Sequence, residues 1–437
     1  MNERQVNMAA EGYDPTVEVE EVITRGLPGD NGAGPLWCYG SPCIVRDGRH
    51  VYVSISETDP ALDRLCNTRW TVWKRDENAW SIICHGDHYD EREPCPLAHL
   101  PGNRLLISVN PLADRTSMTR GGACIPHIMA ISPTGDRISP LPMPDWDQVS
   151  EAFTEHSYRG LGVDYDNKDL LLFNIDAHHG YAWSLLEEED LWAHQGFFSF
   201  PIRACYPQIG LKNGAAHVMA IGDIIETNPA WRRFKKEKTG HDWDYDFRRL
   251  FYTWTPDIRK VPFLPSIEIA SFEETAGYIK NGDLLIDDED NVHLLFTTKN
   301  IWHDFMGDAF FSDRPIISTV EYRVLKDGKQ IRSHTLTSHV KDKNNTDESS
   351  PIYTAVGFHA DITNRVYVVF TGGGDLYVMQ VSPWIGDTPS KIPLKNPISN
   401  FMMPTPRNGS TMNDTIDIYG IGPKSEDMHY VRVRLGP

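Results

Sequence analysis

The sequence predicts an all-β protein, a seven-bladed β-propeller closed by pairing of its N- and C-terminal strands. Three observations predict this fold. A β-hairpin pattern occurs seven times along the 437 residues, strand-like runs lie between the copies, and the chain has strand-like segments near both ends. No Pro-, Gly- or Ser-rich linker divides the chain. We therefore expect residues 1–437 to form a single propeller domain.

Each copy of the repeat consists of a short apolar stretch, a polar turn and a second apolar strand. The turns contain pairs such as Asp-Gly, Gly-Asn and Asn-Gly, which favour β-hairpins. Successive copies are 47 to 75 residues apart, longer than the ~40–50 residues of compact blades, so we expect the surplus in loops. The second strands of the hairpins are predicted to begin near Val51, Leu105, Leu170, His217, Val292, Val366 and Ile416.

The remaining elements follow from the segments outside the hairpins. Runs such as RWTVWKRD and FRRLFYTWT supply the further strands that a four-stranded blade needs. The segment Val17 to Arg25 is predicted to pair with the C-terminal segment MHYVRVRL, because an open sheet edge is a liability. One helix is predicted as an insertion at residues 228–240, where Asn228 caps the N-terminus, Pro229 fits the first turn and Gly240 ends the helix.

Composition and charge exclude several classes of partner. Acidic residues outnumber basic ones by 61 to 42, and the formal net charge is -19. A chain this acidic repels nucleic acid and anionic lipid, so we expect neither as a partner. No segment is apolar for long enough to span a bilayer, and the N-terminus lacks the apolar stretch of a signal peptide. Seven scattered cysteines without a Cys-x-x-Cys pair indicate buried free thiols.

Candidate functional residues gather on one face of the predicted propeller. The loops that enter the first strand and leave the second strand of each blade share what we call the near face; the hairpin turns lie on the opposite, far face. Near-face loops converge on the axis, where pockets form. Three arginines, Arg92, Arg159 and Arg203, precede the first strands of successive blades, which predicts an anion-binding groove. The basic helix, which contains Arg232 and Lys236, joins this face.

Two neighbouring segments resemble a known family. The segment EHSYRGLGVDYDNKDLLLFNIDAHHG resembles the His-Asn-Tyr-Pro … Asn-Met-His stretch of the BNR-4-type seven-bladed propellers, which include ulvan lyases and related enzymes acting on rhamnose–glucuronate linkages. His156, Tyr158, Asn174 and His178 occupy the matching positions. The segment RACYPQI then places Tyr206 at the position of a catalytic tyrosine. The resemblance covers about 60 of 437 residues; Arg159 replaces the proline, and IGDII stands where an arginine is expected.

The resemblance implies a polysaccharide lyase that cleaves a uronate-containing chain by β-elimination. This reaction needs a cation on the carboxylate, a base for the C5 proton and an acid for O4. The resemblance implies His156 and Tyr206 as the acid/base pair, with His178 orienting the sugar or sharing the base role. Substrate binding is predicted for Arg203, Arg159, Arg92, Asn174, Tyr158, His179 and Trp302.

Further expectations follow from this chemistry. The partner is expected to be an acidic oligo- or polysaccharide, no cofactor is required, and the protein is expected to act as a monomer. A secreted or periplasmic location fits such a substrate. A structural divalent cation is an additional possibility at the segment CHGDHYDE, where imidazoles and carboxylates are close in sequence.

Two other functions remain open on the same fold. A glycoside hydrolase, sialidase-like or rhamnosidase-like, needs paired carboxylates or a tyrosine nucleophile. The Ser-x-Asp-x-Gly-x-Thr-Trp box of sialidases is absent. A non-catalytic carbohydrate-binding propeller would present aromatic residues without converging titratable groups. The candidate carboxylates for hydrolysis are Glu93, Asp176, Asp223 and Glu226.

Overall fold

The computed structural model of the chain describes residues 14–25, 31–37, 41–77, 79–116, 119–144, 146, 153–155, 158–176, 178–187, 191–222, 225–241, 246–341, 353–386, 388–423 and 427–436. Two residues with predicted site roles, His156 and Asp223, lie outside these ranges.

Within these residues the chain forms seven four-stranded antiparallel sheets, and the predicted seven-bladed propeller is confirmed. The first strand, β1 (Thr16–Thr24), belongs to the last blade. Blade 1 contains β2 (Ile44–Asp47), β3 (His50–Thr58), β4 (Thr68–Asp76) and β5 (Ala79–His85). Blade 2 contains β6 (Leu97–Leu100), β7 (Arg104–Val109), β9 (His127–Ile131) and β10 (Ile138–Pro140). A separate short pair on the near face joins β8 (Ala123–Cys124) to β11 (Phe153–Thr154).

The next three blades follow in chain order. Blade 3 contains β12 (Arg159–Asp164), β13 (Asp169–Ile175), β14 (Tyr181–Leu186) and β15 (Trp192–Phe198). Blade 4 contains β16 (Ala204–Lys212), β17 (Ala215–Gly222), β18 (Arg249–Thr255) and β19 (Ile267–Ser271). Blade 5 contains β20 (Tyr278–Ile286), β21 (Val292–Lys299), β22 (Ile317–Lys326) and β23 (Lys329–Val340).

The last two blades bring the chain back to its start. Blade 6 contains β24 (Val356–Ala360), β25 (Val366–Gly372), β26 (Asp375–Ser382) and β27 (Ser390–Ile392). Blade 7 contains β28 (Asn400–Met402), β29 (Thr415–Ile421), β30 (Met428–Arg434) and β1. The pairing of β1 with β30 runs from Thr16 opposite Arg434 to Thr24 opposite Met428, which confirms the predicted closure.

Burial of both blade faces explains the continuous apolar runs in the sequence. In blade 3 every residue of β12, β13 and β14 is buried, because neighbouring blades cover both faces of the sheet. The close approach requires glycine: a Cβ at Gly160 would lie 2.5 Å from the Pro207 carbonyl oxygen, and one at Gly162 would lie 2.6 Å from the Ile209 side chain. The outermost strand of blade 5, β23, is mostly exposed and mostly polar.

A short loop fills the axis of the propeller. A 3₁₀ turn at Pro406–Asn408 connects β28 with β29, and we call residues 405–410 the axial plug. Arg407 Nε donates to Asp283 Oδ1 at 2.9 Å in blade 5. Asn408 Nδ2 donates to the carbonyl oxygens of Ile44 and Leu97 at 2.9 and 3.2 Å, which ties the plug to blades 1 and 2.

The axial plug divides the two ends of the channel. On its far side a cavity of about 470 Å³ opens between the hairpin turns of blades 3 to 6. On its near side a cavity of about 50 Å³ lies below Leu36.

Two helices stand on the near face. Helix α1 (Pro229–Thr239) follows β17, and the Asn228 side chain accepts from the backbone N–H groups of Ala230 and Trp231. Gly240 follows in the left-handed conformation with φ 76°. Helix α2 (Asp304–Phe310) follows β21 and packs against α1. Neither these helices nor any other among the described residues is long and apolar enough to cross a membrane.

Candidate functional site

The centre of the site lies where blades 3 and 4 begin. Tyr158 and Arg203 directly precede the first strands β12 and β16, and Tyr206 lies within β16. The ring centroids of Tyr158 and Tyr206 are 4.3 Å apart. The Arg203 guanidinium carbon lies 5.5 Å from the centroid of the Tyr158 ring, a cation–π arrangement. The structure therefore brings these three sequence-predicted residues together.

The backbone at Tyr206 has an unusual conformation. Its φ is 52°, in the left-handed region that bulky residues rarely adopt. The register of β16 against β17 shifts between Cys205 and Gln208, which marks a β-bulge, and bulges re-aim side chains at functional sites. The amide of Asn281 in blade 5 donates to the Tyr206 carbonyl oxygen at 2.6 Å and stabilises this conformation.

Aromatic side chains cover the Tyr206 ring. Trp37 contacts it edge-on with a centroid distance of 6.3 Å, and Phe247 lies 6.0 Å away. The side chain is only 2% exposed. Burial, followed by the neighbouring Tyr158, raises the pKa of the Tyr206 phenol well above its usual value, so the phenol is protonated at neutral pH.

A tight turn after β13 presents two histidines. One carboxylate oxygen of Asp176 accepts from the backbone N–H groups of His178 and Gly180, at 2.9 and 2.8 Å. His178 and His179 are both exposed, and His179 has φ 72°. Partial burial and the nearby Arg203 guanidinium lower the pKa of His179, so its imidazole is neutral at neutral pH.

Two buried carboxyls lie beneath this surface around Arg159. Arg159 Nη2 is 3.5 Å from Glu91 Oε2 and donates to the carbonyl oxygens of Glu93 and Pro94, each at 3.2 Å. Burial raises the pKa of both Glu91 and Glu93 to about 7, although the Arg159 charge opposes the shift. Arg159 is 2% exposed, since it starts a strand that is covered on both sides. The structure therefore places Arg159 under the candidate site and Glu93 at its floor.

The other predicted binding residues lie around this floor. Arg92 and Arg203 are both close enough to Glu93 for their charges to offset part of the rise in its pKa that burial causes. Both arginines are half-buried. The Arg92 carbonyl oxygen accepts from the side chain of Asn31. Asn174 is fully buried, and its side-chain oxygen lies 3.4 Å from the Asn110 amide nitrogen, so Asn174 connects β13 to the loop that follows β7.

Trp302 lies at the end of a line of rings that leads outward from Tyr206. It stacks on Tyr278 with a centroid distance of 4.0 Å and an interplanar angle of 18°. Tyr278 is 5.8 Å from Phe247, the ring that contacts Tyr206. We call Tyr206, Phe247, Tyr278 and Trp302 the aromatic row.

Sequence reasoning missed three contributors to the site. Glu91 precedes a predicted arginine, so the acidic–basic run at residues 90–93 was a usable signal. Phe247 and Trp37 carry no local signal, since each reaches Tyr206 from a distant loop.

Two carboxylates proposed for hydrolysis have other partners. Asp176 fixes the histidine turn. Glu226 is buried and pairs with Arg248 at 2.5 Å and Lys235 at 3.3 Å. Each of the two carboxylates is therefore engaged by neighbouring donors in the structure.

The described residues contain no cluster of three or more His, Cys, Asp or Glu side chains arranged to hold a metal ion. In the segment considered for a cation, His85 Nδ1 contacts the Gly86 carbonyl oxygen at 2.9 Å. Asp90 forms an ion pair with Arg115 at 2.6 Å. These side chains therefore have different partners in the structure.

Comparison with solved structures shows the propeller fold. The polysaccharide lyase Uly1 aligns with a TM-score of 0.52 and 11% sequence identity, over 96% of this chain and 99% of that chain. An α-L-arabinanase of Penicillium chrysogenum aligns with a TM-score of 0.46 and 9% identity, over 96% and 98%. The GH93 α-L-arabinofuranosidase of Fusarium graminearum aligns with a TM-score of 0.45 and 10% identity, over 95% and 97%. At these identities the likeness shows the fold alone.

No family model matches the chain, and no curated protein matches it by sequence. The resemblance to BNR-4-type propellers therefore stays a prediction from the two quoted segments.

Proposed function

We propose that the protein is a polysaccharide lyase that cleaves a uronate-containing chain by β-elimination. One observation carries the proposal: Tyr206 is held in a left-handed backbone conformation at a bulge, in tilted ring contact with Tyr158, whose ring also contacts the Arg203 guanidinium. Strained backbone of this kind concentrates at active sites. The fold is one that the polysaccharide lyase Uly1 also has, so it can support such chemistry.

The proposed roles follow from charge and protonation. Arg203, with Arg92 beside it, binds the substrate carboxylate and stabilises the negative charge that develops when C5 loses its proton. The protonated phenol of Tyr206 donates to O4 as the glycosidic bond breaks, because its raised pKa keeps the proton on the oxygen. His156, which lies outside the described residues, completes the acid/base pair with Tyr206.

The exposed histidine turn supports the same step. His178 shares the base role or orients the sugar, and the neutral imidazole of His179 is a hydrogen-bond partner for the substrate. Arg159 acts as a positioning residue in this proposal, since it contacts Glu91 and the Glu93 backbone rather than the surface.

Access to Tyr206 requires a local movement. The ring is 2% exposed and is covered by Trp37. Sugar binding therefore has to displace Trp37 or Tyr158, which exchanges one aromatic contact for another with the sugar ring. Polysaccharide substrates of this type favour a secreted or periplasmic location for the protein.

A glycoside hydrolase is the second candidate, and one observation favours it. The buried Glu93 carboxyl has its pKa raised to about 7, which is the range suited to a general acid at neutral pH. Hydrolysis needs a second carboxylate about 5–9.5 Å away. Glu91 is the described carboxyl that shares the same buried region.

Product analysis separates the candidates. The protein is incubated with glucuronate-containing polysaccharides, and ultraviolet absorbance is followed together with the release of reducing ends. A lyase gives both signals, because elimination creates a conjugated double bond. Reducing ends without the absorbance would establish hydrolysis. Binding without either signal would establish a non-catalytic propeller.

A further inference from the structure

We infer that helix α1 carries a second binding region for the substrate polyanion, so the protein acts on long chains rather than on short oligosaccharides. This inference rests on the proposed function and names the size class of its substrate. It goes beyond the axial site, because α1 contributes no residue to the group around Tyr206.

The exposed side of α1 is basic in a strongly acidic protein. The net charge of the chain is -19, yet the single acidic residue of α1 is Glu237. Four of its basic residues are exposed: Arg232, Arg233, Lys236 and Lys238. A concentration of positive charge on such a background attracts an anionic polymer to this part of the surface.

Helix stability explains the two lysines in the last turn of α1 but not Arg232 and Arg233. The positive end of the helix dipole lies at the N-terminus, where acidic side chains stabilise a helix. The first turn of α1 contains no acidic residue, and Arg232 and Arg233 follow it directly. Residues that oppose the charge preference of a helix end without stabilising the fold are expected at functional sites.

A buried ion network holds this helix in place. Lys235 Nζ donates to Asp246 at 2.6 Å and lies 3.3 Å from Glu226. Arg248 contacts both of these carboxylates, at 2.5 and 3.0 Å. The side of α1 that faces the protein also packs its Trp231 ring 5.6 Å from Phe311 after α2. The exposed basic side chains therefore project from a helix whose position is fixed by buried contacts.

A line of ring contacts connects helix α1 with the aromatic row. Trp302, at the end of the row, lies 5.6 Å from the His303 ring, which stacks on Phe305 at 4.9 Å. Phe305 in turn lies 6.0 Å from Phe234 of α1, and all of these rings are partly exposed. The helix itself extends for about 16 Å at 1.5 Å per residue. A chain bound at Tyr206 can thus pass the aromatic row and reach α1, whereas a disaccharide remains at the axis.

The test compares two variants with the same change of charge. The double variant Arg232→Glu, Arg233→Glu reverses charge on α1, and the new acids favour the helix N-terminus, so α1 stays folded. The control is Lys329→Glu, Arg332→Glu on the exposed outer strand β23, near the far face. Affinities for a long glucuronate-containing polysaccharide and for its disaccharide are measured by calorimetry at low and high salt.

We expect the α1 variant to bind the long chain about tenfold more weakly and the disaccharide unchanged. The control variant should match the wild type with both ligands, and added salt should reduce the difference for the long chain. Equal weakening for both ligands, equal weakening in both variants, or no weakening in the α1 variant would each overturn the inference. A wild-type protein that binds the long chain through α1 but yields no unsaturated product would leave the inference standing and refute the lyase proposal.

Discussion

The two faces of the propeller use the same residue types in different ways. On the far face His217 Nδ1 lies 2.7 Å from the Tyr252 hydroxyl, and His293 Nδ1 lies 2.7 Å from that of Tyr322. On the near face the Tyr206 ring contacts another tyrosine beside an arginine, close to an exposed histidine turn.

Burial and backbone conformation separate the two arrangements. His217 and Tyr252 are buried on regular neighbouring strands, and burial lowers the pKa of His217 to about 4. Tyr206 and His179 both have positive φ angles. We therefore expect catalysis at the near-face group, where the backbone is strained and a charged group converges on the tyrosine.

The largest expected effect is the loss of the Tyr206 hydroxyl. Tyr206→Phe should lower kcat by about 10²–10⁴ without unfolding, because a positioned acid is lost. Tyr252→Phe is the matched far-face control. It should leave kcat unchanged and cost about 1 kcal/mol of unfolding free energy, since His217 loses its partner. Steady-state kinetics and denaturant unfolding check both variants; equal kcat values for Tyr206→Phe and wild type would remove Tyr206 from the mechanism.

Removal of the Arg203 charge should affect binding next most strongly. Arg203→Ala should raise KM for a uronate substrate about tenfold to a hundredfold, because a charge-assisted contact is worth about 1.5–3 kcal/mol. The substrate esterified at its carboxylate should show no such loss. Arg365→Ala, which removes an arginine paired with Asp361 near the far face, should change neither KM. An unchanged KM for Arg203→Ala would contradict the assignment.

Ionisation of the buried Glu93 carboxyl should make the free energy of unfolding depend on pH, and we expect no comparable effect on the reaction rate. Its pKa is about 7 in the folded protein and 4.5 as the ordinary value, so the folded state binds more protons between these values. Stability should therefore fall as pH rises from 4.5 to 7, by about 1–3 kcal/mol. Glu93→Gln should flatten this part of the profile in denaturant melts. A profile as steep as that of wild type would show that Glu93 ionises normally.

The far-face histidine should give a slope of similar size and opposite sign. The pKa of His217 is about 4 when folded and 6.5 as the ordinary value, so the unfolded state binds more protons between these values. Its contribution to stability is complete above pH 6.5 and is lost as pH falls toward 4. His217→Gln should reduce this acid destabilisation by about 1–3 kcal/mol and leave kcat unchanged. A lower kcat for His217→Gln would contradict the expectation that the far-face histidine takes no part in catalysis.

The sequence was informative where structure depends on local pattern. Hairpin turns and apolar runs predicted all seven blades, and the termini predicted the pairing of β1 with β30. Asn228 and Gly240 marked the ends of α1 because caps are local signals.

The site was harder to predict, since it depends on side-chain direction and on contacts between distant loops. Tyr158 and Arg159 are neighbours in the chain, yet Tyr158 contacts the Tyr206 ring and Arg159 lies beneath the surface. The contact of Phe247 with Tyr206 joins the loop before β18 to strand β16, about 40 residues earlier in the chain. The positive φ of Tyr206 arises at a bulge, for which Pro207 inside the strand was the one local signal, since proline in a sheet is confined to edges and bulges. The catalytic and binding roles of these residues stay predictions.

The axial plug affects how the propeller unfolds. Blades joined only to their neighbours behave like a repeat array, in which terminal units can fray independently. Here Asn408 and Arg407 of the axial plug form hydrogen bonds with blades 1, 2 and 5. Detaching a single blade would leave buried polar groups of the axial plug without partners, which costs about 1–3 kcal/mol for each group. The ring should therefore melt in one cooperative step, with no partly opened intermediate.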